Sequence, residues 1–131
     1  MNVAATPPAG AGIVLFAHGS RDPAWRAPIE AVAARMRELA PGTPVCCAYL
    51  ELSTPDLPSA VEALLQDGVE AITVWPMFLG TGRHAREDLP RLMEQLRARH
   101  ARVRFTLRPA IAEHPDVLQA MACAALEPGA P

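Results

Sequence analysis

Two histidines and a glutamate in this 131-residue sequence stand just beyond runs of apolar residues. His18 follows "IVLFA" and heads the polar cluster "HGSRDP". His84 lies in "FLGTGRHARED", and Glu51 follows "VCCAYL". Imidazole gains or loses a proton near neutral pH and binds divalent first-row metals, and a carboxylate can join the same donor set. Around one cleft, these three groups could hold a metal ion or move protons. Gly19 would permit close backbone approach beside His18, and Ser20 and Arg21 add donors. Gly80 and Gly82 precede His84, while Arg83 and Arg86 flank it with positive charge.

Residues so far apart in sequence meet only if the fold brings their loops together. Gly12 to Ala17 is a continuous β-favouring run of the kind covered on both faces. Ile29, Val32, Ala33 and Met36 follow at helical spacing, and "PGTP" ends that helix. "VCCAYL" is a second strand. Thr54 can cap the next helix with Pro55 at its first position, Leu57, Val61, Leu64 and Leu65 as its buried stripe, and Gly68 as its stop. "AITVWPM" is a third strand and residues 78–88 a polar loop in which Asp88 can cap. Leu89, Leu92, Met93 and Leu96 then form a periodic helix with Pro90 in its first turn. "VRFTL" alternates as an edge strand does, and Pro115 opens a last helix to about Ala125.

This alternation predicts an α/β fold: a flavodoxin-like three-layer sandwich, with a four-stranded, mostly parallel sheet and helices on both faces. Flavodoxin-like winding orders the strands 2-1-3-4 and makes strands 1 and 3 neighbours at the switch point. "HGSR" and "PMFLGTGRH" then emerge side by side at the carboxyl edge, and strand 2 delivers Glu51 to the same rim.

Half of the residues are apolar, a fifth are charged and the net charge is −2, which predicts a soluble globular chain. Residues 1–11 read as a flexible leader, 12–125 as one domain and 126–131 as a flexible tail. Without a basic excess, neither nucleic acid nor a membrane is an expected partner. The start lacks the features of a secretory signal and no apolar run approaches the ~20 residues of a membrane span, so a cytoplasmic location is expected. Cys46, Cys47 and Cys123 include no CxxC and read as reduced, mostly buried thiols. His100 ends the third helix, His114 frames a turn before Pro115, and Trp25 and Trp75 read as packing residues. There is no GxGxxG, P-loop or GxSxG. Ser20 is too near His18 in sequence for nucleophile–base geometry, and no orienting acid is evident.

In order and spacing, "LFAHGSRDP", "YLELSTPDL", "VWPMFLGTGRHAREDLP" and "AEHPDVL" resemble the successive blocks of the small class II chelatases. The resemblance runs from Gly12 to Ala125. It implies a chelatase-like fold and a metal-inserting lyase that places Co²⁺, Fe²⁺ or Ni²⁺ into sirohydrochlorin, the precursor of sirohaem and cobalamin. By the same resemblance His18 and His84 are the active-site histidines, Glu51 sits where a metal-site carboxylate is expected, and the chain pairs as a homodimer with its cleft between subunits. The divalent metal is then substrate, and no tightly bound cofactor is expected. Gly19, Ser20, Arg21, Gly80, Gly82, Arg83 and Arg86 are the candidate contacts to the carboxylate-rich macrocycle. The last block reads "AIAEHP", where the family usually has a glycine shortly before His-Pro. A carrier that binds metal or tetrapyrrole without catalysis is the alternative on the same fold.

Overall fold

Four parallel strands, β1 (Ala11–Ala17), β2 (Val45–Tyr49), β3 (Ala71–Pro76) and β4 (Arg104–Leu107), form one sheet in the order β2-β1-β3-β4 in the computed structural model of the chain. The structure describes residues 5–129; residues 1–4 of the expected leader and 130–131 of the expected tail lie outside them. Four helices connect or follow the strands: α1 (Ala27–Leu39), α2 (Leu57–Gln66), α3 (Arg83–Arg99) and α4 (Pro115–Leu126). Short 3-10 helices at Pro23–Arg26 and Ile111–Glu113 precede α1 and α4. Strand order, parallel pairing and the edge position of β4 agree with the pattern read from the sequence.

Alternation along the strands divides the core. On one face, Val14, Phe16, Ala48, Ile72, Val74 and Phe105 pack against Leu57, Ala60, Val61 and Leu64 of α2 and Ala85, Leu89, Met93 and Leu96 of α3. Burying each of the larger side chains contributes ~1.5–3 kcal/mol, so this face dominates the stability. On the other face a smaller cluster of Leu15, Val45 and Ala33 of α1 is joined by partly buried Ile13, Ile29, Met36, Cys47, Trp75 and Met77. Among the described residues no helix is long and apolar enough to cross a membrane.

Several boundaries differ from the sequence-based expectation. The cap of α2 is Asp56, whose carboxylate accepts a hydrogen bond from the Ser59 N–H at 2.9 Å; Thr54 instead precedes a cis bond to Pro55. Asp and Thr are both good caps, but the helix begins only where Leu57 can enter the core. Bonds from the Ser59 hydroxyl and N–H hold the Asp56 carboxyl below its usual pKa.

Helix α3 begins at Arg83, so Asp88 is not its cap and Pro90 lies inside it rather than in its first turn. "RHARED" hides that start because only Ala85 in it is buried. Cys46 and Cys47 are half-buried, whereas Cys123 is exposed on α4, a helix with no buried residue among the described residues. Trp25 is 37% exposed and tilts toward Tyr49 with ring centroids 6.2 Å apart.

Candidate active site at the carboxyl edge of the sheet

Where β1 ends, the ladder to β2 continues beyond the strands. Leu50 donates its N–H to the Ala17 carbonyl, and Glu51 donates to the His18 carbonyl, each at 2.9 Å. His18 is solvent-exposed, yet its ring is stacked on buried Phe78 with centroids 4.3 Å apart and planes 25° from parallel. Phe78 in turn meets Phe16 edge-on at 6.4 Å. An imidazole at the water boundary is thus positioned by an aromatic post rooted in the core.

Gly19 adopts φ +103°, and a Cβ there would strike the Glu51 carbonyl. The close backbone approach expected at Gly19 is therefore made by the chain itself. Ser20 is tied to the same loop: its N–H donates to Ser53 Oγ at 3.2 Å, and Ser53 Oγ donates to its carbonyl at 2.7 Å. The Ser20 hydroxyl accepts from the Asp22 N–H at 3.1 Å. These bonds close the β1 and β2 loops into one rim.

Beside it, the chain leaves β3 through Phe78 and Leu79, the latter 80% exposed. Nothing crowds Gly80 or Gly82, and Gly82 is the extended N-cap of α3. Arg83, His84 and Arg86, expected in a loop, occupy the first turn of that helix and are exposed. Arg83 reaches Glu87 at 3.4 Å. Positive side chains and free N–H groups at a helix start favour anions.

Two cavities open along this edge. One of about 330 Å³ is lined by Phe16, Tyr49, Leu50, Asp56, Leu57, Pro58, Asp88, Arg91 and Leu92. Asp88 and Arg91 follow His84 at i+4 and i+7, so all three share one side of α3. That spacing would have revealed the pair had the helix start been legible. The other, about 430 Å³, is lined by Ser20, Arg21, Pro23, Arg26, Leu52, Ser53 and Thr54. It combines two guanidinium groups with three hydroxyls and includes no carboxylate in its lining. Arg26 has no signal in the sequence; only the 3-10 helix places it beside Arg21.

Glu51 is exposed, and its backbone rather than its carboxylate makes the contacts described above. Among the described residues no three His, Cys, Asp or Glu side chains are grouped closely enough to hold a metal ion, so one chain does not assemble His18, His84 and Glu51 into a three-ligand set. Burial raises the pKa of Cys46 and Cys47, which leaves both as poor ligands. His100 caps the far end of α3, 4.0 Å from Glu62. His114 serves the fold: its Nδ1 accepts the Asp116 N–H at 3.1 Å and caps α4.

The CbiX family matches residues 12–127. A sirohydrochlorin cobaltochelatase from Methanothermobacter thermautotrophicus is 37% identical over 82 residues, which are 63% of this chain and 57% of that protein. One from Methanocaldococcus jannaschii is 33% identical over 88 residues, 67% of this chain and 62% of its own length. The chain thus spans less than two thirds of these curated relatives. A solved structure described as a cobalamin (vitamin B12) biosynthesis CbiX protein from Marinobacter aquaeolei VT8 superposes with a TM-score of 0.76 at 36% identity, covering 88% of this chain and 93% of that one. SirB from Bacillus subtilis with Fe³⁺ gives a TM-score of 0.72 at 25% identity, covering 90% of this chain and 48% of SirB.

Proposed function

The chain belongs to the CbiX family, and we propose that it is a sirohydrochlorin chelatase, a lyase inserting Co²⁺, Fe²⁺ or Ni²⁺ into the tetrapyrrole. The observation that carries this reading is the placement of two exposed imidazoles just beyond the neighbouring strands β1 and β3. His18 is stacked on Phe78, and the loop that begins at Phe78 leads to His84 in the first turn of α3. The curated relatives named sirohydrochlorin cobaltochelatases support the substrate.

Insertion exchanges the two inner N–H protons of the macrocycle for one divalent ion. His18 and His84 accept those protons and serve as metal donors, with Glu51 as the rim carboxylate. Imidazole and carboxylate donors that are not gathered into a closed set hold a metal loosely enough to pass it on. The metal is therefore substrate, and the reaction needs no tightly bound cofactor. Gly80 and Gly82 leave backbone open to the macrocycle, and Gly19 and Ser20 shape the opposite rim. Arg21, Arg83 and Arg86 meet its carboxylates. Residues 12–125 form the catalytic unit, acting in the cytoplasm as a homodimer with the cleft between subunits.

Turnover decides the matter. Purified chain, sirohydrochlorin and Co²⁺, followed by absorbance without oxygen, should give many turnovers above the uncatalysed rate; competition then ranks the three metals. Binding without turnover would make the chain a carrier instead.

Arg26 extends the reading. Replacing Arg21 and Arg26 together by alanine removes both cations from the 430 Å³ cavity. A charge-assisted hydrogen bond contributes ~1.5–3 kcal/mol, so KM for the macrocycle should rise about 10-fold or more with little change in kcat. An unchanged KM would place the macrocycle periphery elsewhere.

A further inference from the structure

Two leucines flank the His18 loop at the carboxyl edge, and neither packs into the core. Leu52 lies just beyond Glu51 in the loop after β2 and is 54% exposed. Leu79 lies just beyond Phe78 in the loop after β3 and is 80% exposed. Because β1 runs between β2 and β3, these two loops stand on either side of the one that carries His18. Both leucines are outside the two core clusters.

A lone exposed leucine needs no explanation, but Leu52 is also strained. At φ +62° it is the only non-glycine residue with a positive φ among the described residues. The Ser53 N–H donates to the Glu51 carbonyl at 2.8 Å, so Leu52 is the central residue of a three-residue turn. A full side chain in this left-handed turn is disfavoured, and Gly or Asn would fit it better. The turn cannot relax freely, because Ser53 Oγ is bonded to both the N–H and the carbonyl of Ser20. Strained backbone without a gain in packing is found where a side chain meets a ligand.

The surroundings define the chemistry of that ligand. Leu52 lines the 430 Å³ cavity together with Arg21 and Arg26. On the other side Leu79 precedes Gly80 and Gly82, where the space is open, and then Arg83 and Arg86 of the first turn of α3. Each side of the His18 loop thus combines one bare aliphatic group with two guanidinium groups. The matching ligand is a flat apolar ring that carries anionic groups at its periphery.

We propose that Leu52 and Leu79 are binding residues for the macrocycle, gripping its apolar ring while the arginines meet its carboxylates. The inference rests on the chelatase reading above and assigns the contacts that seat the ring at His18. Dispersion contact with aliphatic side chains leaves the ring nitrogens free for the imidazoles and the incoming ion.

Leu52→Asn and Leu79→Ser test this with metal-free sirohydrochlorin, titrated without oxygen, beside Co²⁺ insertion and a denaturant midpoint. Each variant should raise both Kd and KM for the macrocycle about 10-fold with little change in kcat, because apolar surface buried in the complex is lost. The Leu52→Asn midpoint should stand at or above that of the parent, since Asn tolerates the left-handed turn. Weaker binding by a chain no less stable is a result that a merely structural leucine would not give. Unchanged Kd and KM in both folded variants would overturn the leucine contacts and leave the chelatase reading standing. A change in only one of them would overturn the two-sided grip. A fall in kcat at unchanged KM would assign the leucines to the shape of the rim and overturn the contacts as well. A parent chain that binds no sirohydrochlorin would overturn the chelatase reading and the contacts together.

Discussion

Replacing His84 by alanine should lower metal insertion by about 10²–10⁴-fold while leaving the fold intact. The side chain is exposed in the first turn of α3. It packs into no core cluster, and alanine is the better helix former. Stability should therefore move by no more than about 0.5 kcal/mol. On the proposed mechanism, the loss in rate comes from removing a group that accepts a departing pyrrole proton and holds the incoming ion. Anaerobic turnover with sirohydrochlorin and Co²⁺, alongside a denaturant midpoint, separates the two effects. His100→Ala, at the opposite end of the same helix, is the control and should retain near-normal turnover. A folded His84→Ala protein with normal turnover would take His84 out of the mechanism.

That His18 and His84 follow neighbouring strands is legible in the sequence because it depends on topology. Alternating strand and helix patterns fix a parallel sheet, and parallel winding places the first and third strand ends together. Hydrophobic periodicity sees only residues that enter a core, which is why the apolar pattern of α3 begins near Leu89. Its first turn, with Arg83, His84 and Arg86, faces water and leaves no periodic trace. The same blindness hides Asp88 and Arg91 as cavity-lining residues. Arg26 depends on a short 3-10 helix whose formation no periodic pattern announces. For α4 the opening Pro115 is legible in the sequence, but a start signal does not say that no residue of the helix is buried.

Gly19→Ala should destabilise the chain by about 2–5 kcal/mol, combining strain at a left-handed backbone position with overpacking. Gly19 has φ +103°, where an L side chain is strained whatever the space, and here there is no space: the new Cβ would meet the Glu51 carbonyl. Neither strand of the rim can yield cheaply. Glu51 donates to the His18 carbonyl at 2.9 Å, while Ser53 Oγ receives the Ser20 N–H and donates to the Ser20 carbonyl. Relief by movement would break one of these bonds and shift His18 on its Phe78 post, so insertion should fall together with stability. Gly80→Ala provides the contrast, because no atom lies within 4 Å of its added Cβ and its φ is not positive; its midpoint should stay near that of the parent. Chemical denaturation of the two variants beside the parent makes the comparison. Equal midpoints for all three would mean that the β1 and β2 loops are not locked together, and His18 would then owe its position to Phe78 alone.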